Sequence, residues 1–76
     1  MQNLIRLIEE TLDMQIELDA DTPLLSTGIV DSLGVVTLLG AIEDHYQIMI
    51  AESELSFSTF DTPRQMQRVI DAAYRA

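Results

Sequence analysis

The stretch from Ser32 to about Tyr46 limits the possible folds more than any other part of the chain. Its apolar residues recur at the spacing of one face of an α-helix: Val35, Leu38, Leu39, Ile42 and Tyr46. Asp31 and Ser32 are both favoured types for the residue that caps a helix N-terminus. The pattern therefore predicts a helix that begins at or beside Ser32 and turns this stripe toward the core.

A second set of residues, Leu33, Val36 and Gly40, lies off that stripe, where polar residues are expected. Either the helix is buried on every side, or the second set forms a docking surface. A chain of 76 residues buries only about 60% of its unfolded surface, so it can hardly cover one helix completely. We therefore favour docking, with Glu43 and Asp44 at the far end of the same surface.

Two more amphipathic helices are predicted. The first spans Asn3 to about Asp13, and the last follows Thr62-Pro63, a start signal in which proline occupies the first helical position. Their apolar positions have helical spacing: Leu4, Ile5, Ile8 and Leu12, then Met66, Val69, Ile70 and Ala73. Arg64, Arg68 and Arg75 should point away from the core.

The connection from Met14 to Val30 is unusually long for a loop. It contains several apolar residues that should tie it to the core: Ile16, Leu18, Leu24 and Leu25. The segment Asp19–Val30 does not match a calcium-binding loop, because Pro23 and Leu24 occupy a ligand and the glycine position, and Val30 replaces the bidentate glutamate.

Length and composition predict a single domain over residues 1–76. The chain has no cysteine, which excludes disulfides and cysteine zinc sites. Neither a signal peptide nor a membrane-spanning run is present, so we expect a cytoplasmic protein.

The formal net charge is -9, and between residues 7 and 63 there is no lysine or arginine. Such a surface repels nucleic acid. It can steer a basic partner toward the chain, or simply keep a small monomer dispersed, and composition leaves both explanations open.

No residue pattern favours catalysis. The single histidine, His45, lies thirteen residues along the same predicted helix as Ser32, about 20 Å away. A catalytic base must reach the hydroxyl that it activates, so we expect a non-catalytic protein and a solvated His45. No metal site is expected.

The tripeptide Asp31-Ser32-Leu33, taken alone, is best explained as an N-cap pair at the start of a helix. Its setting adds information, since Gly28 precedes it by three residues, a long loop leads to it, and an acidic pair closes the helix. In this combination, nearly the whole chain resembles the acyl carrier and peptidyl (aminoacyl) carrier protein family.

The resemblance implies an all-α, up-and-down bundle of three main helices plus one short helix, between Glu52 and about Phe57. It also implies that Ser32, with Asp31 adjacent, carries phosphopantetheine, whose thiol holds cargo as a thioester. The implied partners are a phosphopantetheinyl transferase, an adenylating acyl or aminoacyl ligase, and downstream acyl-transfer enzymes.

Gly34 and Thr37 stand where fatty acid carriers usually have acidic residues on this helix. The surface near Ser32 is therefore more apolar than acidic, which resembles peptidyl and D-alanyl carriers more than fatty acid carriers. We accordingly expect aminoacyl cargo. An initiator methionine and short ends favour a stand-alone carrier. The alternative is a small acidic interaction module without a prosthetic group, in which Ser32 serves only as a cap.

Overall fold

The computed structural model describes residues 1–14 and 17–75. It contains helix α1 (Gln2–Thr11), helix α2 (Ser32–Tyr46), a single 3₁₀ turn (Glu52–Glu54) and helix α3 (Pro63–Arg75), with no strand in the described part of the chain. Helix α1 packs against both α2 and α3. The predicted all-α fold of three main helices and one short helix is therefore confirmed.

The core collects the apolar positions that helical spacing selects. Helices α1 and α2 each contribute two completely buried side chains, and α3 contributes three: Leu4 and Ile8, Leu38 and Ile42, and Pro63, Met66 and Ile70. Phe60 and residues of the connections complete the core: Leu18, Leu24, Val30 and Ile50. The predicted α2 stripe is confirmed, since Val35, Leu39 and Tyr46 pack against this core. Helix stability thus comes mainly from one packed face of each helix.

The other side of α2 is open. Leu33 is 78% exposed and Val36 66% exposed. Gly40 is also exposed, and a methyl group added there would meet nothing within 4 Å. The explanation of α2 as a helix buried on every side is excluded, and the second apolar stripe lies at the surface.

The long connection is held against the core, as its composition predicts. Leu18, Leu24 and Val30 are buried, and Leu25 packs against them, whereas Ile16 lies outside the described residues. Residues 24–30 form a closed turn, in which the Val30 N–H donates to the Leu24 carbonyl at 2.9 Å.

Helix α3 begins as the Thr62-Pro63 signal predicts. The Gln65 N–H donates to the Thr62 hydroxyl at 3.1 Å, and the Gln65 side-chain oxygen accepts from the Thr62 N–H at 3.0 Å, which is a reciprocal capping box. Arg64 is exposed, as expected, but its guanidinium also donates to both carboxylate oxygens of Asp21. The ion pair attaches the long connection to α3.

The short helix ends earlier than the predicted limit near Phe57. Only Glu52–Glu54 are helical, and the Thr59 hydroxyl donates to the Glu54 carbonyl at 2.6 Å. A side-chain hydroxyl that satisfies a backbone carbonyl offers the chain an alternative to a further helical turn. Phe57 consequently lies beyond the helix and is 64% exposed.

Within the described ranges, no helix is long and apolar enough to cross a membrane.

Candidate functional site

Ser32 is the first residue of α2, and its side chain is exposed. Its hydroxyl makes no hydrogen bond with the described residues. The helix start places this hydroxyl beside backbone N–H groups at the positive end of the α2 dipole. A phosphate ester on Ser32 would lie where both features stabilise negative charge.

Asp31, not Ser32, caps α2. Asp31 has an extended backbone, and its carboxylate Oδ1 accepts a hydrogen bond from the Gly34 N–H at 2.8 Å. Its carbonyl accepts from the Val35 N–H at 2.9 Å and so starts the helical hydrogen-bond pattern. The Ser32 hydroxyl is therefore free for another role.

Gly34 is required by close packing at this helix start. A Cβ atom at Gly34 would lie 3.0 Å from Val30 Cγ1 and 3.3 Å from Asp31 Oδ1. Both distances are shorter than ordinary van der Waals contact, so any side chain at residue 34 would push against the cap and the turn before it. A side chain at position 34 would therefore require Val30 and Asp31 to shift by a few tenths of an ångström.

A shallow depression of about 360 Å³ lies beside Ser32. It brings together Val30 and Val35, which flank the helix start, and Leu55 and Phe57 from beyond α2. Its lining is mainly apolar, so it suits the alkyl part of a chain attached to Ser32 better than a charged group. No pattern in the sequence associates Leu55 or Phe57 with Ser32, because only the tertiary fold brings them to the start of α2.

The residues of the predicted docking surface divide into two groups. Leu33 and Val36 lie within the first turns of α2, close to Ser32 along the helix, and Gly40 continues the same surface. Asp44 is exposed, but it lies twelve residues beyond Ser32, about 18 Å along the helix.

Glu43 is half-buried and has a structural contact. Its Oε2 accepts a hydrogen bond from the Ile50 N–H at 2.8 Å. The Glu43 carbonyl also accepts from the N–H groups of Gln47 and Ile48, where the left-handed Gln47 ends α2. Glu43 thus closes the C-terminal end of the helix, and only Asp44 of the acidic pair projects freely.

His45 is exposed and lies at the opposite end of α2 from Ser32. Its ring packs edge-on against the ring of Tyr46, with the two ring centroids 4.9 Å apart. The described residues hold no group of three or more histidine, aspartate or glutamate side chains arranged to bind a metal ion. Apart from Asp31, the residues that line the depression beside Ser32 are apolar.

Comparisons with known proteins agree with this geometry. A family model described as a phosphopantetheine attachment site matches residues 2–70. The chain is also similar to a D-alanyl carrier protein from Abiotrophia defectiva, with 30% identity over 70 residues that cover 91% of this chain and 89% of that relative. Both findings support the resemblance drawn from the sequence, and each covers most of the chain.

The cap assignment predicts different costs for two neighbouring substitutions. Asp31→Ala removes the acceptor of the Gly34 N–H and should lower the free energy of unfolding by about 0.5–2 kcal/mol. Ser32→Ala removes no hydrogen bond to the described residues and should change it by less than about 0.5 kcal/mol. Urea unfolding followed by circular dichroism measures both, and Asp31→Asn, which keeps a capping oxygen, is the matched control. A larger loss for Ser32→Ala than for Asp31→Ala would contradict the assignment.

Proposed function

Because this chain belongs to the phosphopantetheine-dependent carrier protein family, we propose that Ser32 is the residue that bears its covalent phosphopantetheine. The observation that carries the proposal is the exposed Ser32 hydroxyl, which the Asp31 cap leaves unused at the positive end of α2. The Ser32 oxygen would form a phosphodiester bond with the phosphopantetheinyl phosphate of coenzyme A as the pyrophosphate bond breaks. Adenosine 3′,5′-bisphosphate would leave, and a base of the partner transferase would take the hydroxyl proton.

The surroundings of Ser32 fit the group chemically. The α2 N-terminus favours the negative phosphodiester, and the apolar depression beside it can lie against the alkyl part of the arm. When attached, the group supplies a terminal thiol that holds an acyl cargo as a thioester. The chain has no cysteine of its own, so no native thiol competes for that cargo.

In this role the chain is a substrate of its partners and performs no catalysis itself. The exposed helix start makes Ser32 accessible to a transferase, and an adenylating ligase and downstream acyl-transfer enzymes then meet the same end of α2. These partners would place its work in the cytoplasm, where coenzyme A and ATP are available.

Attachment at Ser32 predicts a mass increase of one phosphopantetheinyl group per chain after incubation with a broad-specificity transferase and coenzyme A. Ser32→Ala should remain folded and unmodified. Ser53→Ala, a matched change at another exposed serine, should be modified like the wild type. An unmodified wild type would instead favour the acidic interaction module, and a modified Ser32→Ala protein would move the attachment to another residue.

We further propose that Leu33, Val36 and Gly40 form the surface on which partner enzymes dock, with Asp44 and Glu43 at its far end. The support is exposure, since large apolar side chains lie uncovered next to Ser32. The net charge of -9 adds long-range attraction for partners with a basic face.

Val36→Asp tests this docking surface. Because Val36 is mostly exposed, the substitution should leave the melting temperature nearly unchanged, yet it should raise the KM of the transferase for the carrier roughly tenfold. Thr37→Asp adds the same charge at the next exposed residue and should have a smaller effect, which separates lost apolar contact from added charge. A strongly lowered melting temperature for Val36→Asp, or an unchanged KM, would refute the proposal.

For the cargo we propose an amino acid, with D-alanine as the first candidate. The relative from Abiotrophia defectiva is named a D-alanyl carrier protein, and its similarity extends over 91% of this chain. The close contacts at Gly34 also disfavour the acidic side chain that fatty acid carriers place there, since Val30 and Asp31 would have to shift by a few tenths of an ångström. The start of α2 is therefore apolar, which suits a ligase that docks by packing.

The cargo proposal predicts that an adenylating ligase with D-alanine charges the phosphopantetheinylated protein more readily than enzymes of fatty acid synthesis do. Exposed ion pairs contribute only about 0.2–1 kcal/mol each, so charging by the ligase should depend weakly on salt. A side-by-side loading assay at low and moderate salt measures this. Efficient malonyl loading and chain elongation, strongly weakened by salt, would assign the protein to the fatty acid class.

A further inference from the structure

Asp61 is the one charged residue that is buried in the described ranges, with 8% exposure. Its carboxylate accepts three hydrogen bonds. Oδ1 accepts from the N–H groups of Leu25 at 2.7 Å and Ser26 at 2.8 Å, and Oδ2 accepts from the Ser26 hydroxyl at 2.7 Å. All three donors belong to a segment 35 or 36 residues earlier in the chain.

The backbone of Asp61 strengthens the same connection. Its carbonyl accepts from the Leu24 N–H at 2.8 Å, and its own N–H donates to Gln65 Oε1 at 2.7 Å. Gln65 belongs to the capping box that starts α3. One residue at the start of α3 is therefore hydrogen-bonded to three consecutive residues, 24–26, of the other connection.

The segment that Asp61 contacts leads directly into the start of α2. The turn of residues 24–30 closes through the bond from Val30 N–H to the Leu24 carbonyl and the bond from Gly28 N–H to the Leu25 carbonyl, at 3.1 Å. Val30 is buried and immediately precedes the cap residue Asp31. Leu25, which donates its N–H to the Asp61 carboxylate, lines the depression beside Ser32.

We propose that Asp61 is a positioning residue for modification at Ser32, because its carboxylate fixes the 24–30 turn that delivers Asp31 and Ser32 to the start of α2. The inference rests on the attachment at Ser32 proposed above. Asp61 acts through the 24–30 turn and does not contact the Ser32 hydroxyl. The proposed docking surface of Leu33, Val36 and Gly40 does not depend on Asp61.

The protonation of Asp61 is consistent with this role. Burial, the largest single influence, raises the pKa of the Asp61 carboxyl. The hydrogen bonds from the Ser26 hydroxyl and from the N–H groups of Ser26 and Leu25 together outweigh burial and hold the pKa below its usual value. At neutral pH the carboxylate is ionised and accepts all of these bonds.

The test compares transferase loading of Asp61→Ala with that of the wild type, at a temperature where circular dichroism shows both to be folded. Without the carboxylate, the turn should sample orientations in which Ser32 is misplaced, so kcat should fall between about 10-fold and 100-fold. KM should change little, because the exposed α2 stripe is intact. Asp61→Asn should recover most of the rate, since its oxygen can still accept from both N–H groups.

Two controls separate positioning from general destabilisation. Val69→Ala weakens the packing of α3 away from Ser32, and it should load like the wild type although it is less stable. In Asp61→Ala, hydrogen exchange should accelerate at the N–H groups of Gly28 and Val30 but not in the interior of α3. A merely structural role would accelerate exchange throughout the chain.

The outcomes are distinct from those of the attachment proposal. A wild type that is not modified at Ser32 would overturn the attachment itself. A wild type that is modified, together with an equal kcat for Asp61→Ala, would overturn only the positioning role. If Asp61→Ala does not fold, Ser26→Ala replaces it, because it removes the hydroxyl that donates to Asp61 Oδ2. Loading of Ser26→Ala at the wild-type kcat, with unchanged hydrogen exchange at Gly28 and Val30, would overturn the inference.

Discussion

Leu38 and Ile42 are completely buried on one side of α2, while Leu33 and Val36 on the other side stand in solvent. This one-sided burial is a consequence of size, because a core built from 76 residues has too few apolar side chains to surround its longest helix. The uncovered stripe and the open N-terminus of α2 are therefore left on the surface together. The exposed Ser32 hydroxyl and the exposed apolar stripe therefore arise from the same packing limit.

The start of α2 shows how a small fold frees one hydroxyl. Asp31, not Ser32, accepts the hydrogen bond from the Gly34 N–H group, and Gly34 allows Val30 to pack closely against the helix start. His45, the single histidine of the sequence, lies at the other end of the helix from Ser32. The structure thus presents, at the start of this helix, a capped N-terminus with an exposed hydroxyl oxygen.

Local signals were sufficient for the helices. The spacing of apolar residues predicts α2 as Ser32–Tyr46, and Thr62-Pro63 predicts the start of α3. Both predictions succeed because helix caps and apolar helix faces depend on residues that are close together in the sequence. The predicted length of the short helix was too great. The Thr59 hydroxyl accounts for its early end by donating to the Glu54 carbonyl, and this contact cannot be located from the sequence. The partners of Asp61 could not be predicted either, because they lie 35 and 36 residues away and are fixed only by the tertiary fold.

The central claim is that the phosphopantetheine of this carrier is attached to the exposed hydroxyl at the start of α2. The most direct measurement is tandem mass spectrometry of peptides from the protein isolated from its own cells. The account predicts a phosphopantetheinyl group on the peptide that contains Asp31-Ser32-Leu33, with fragment ions that assign it to Ser32. Fragment ions that assign the group to any other residue, or a Ser32 peptide found only in unmodified form while the group is present elsewhere, would contradict it.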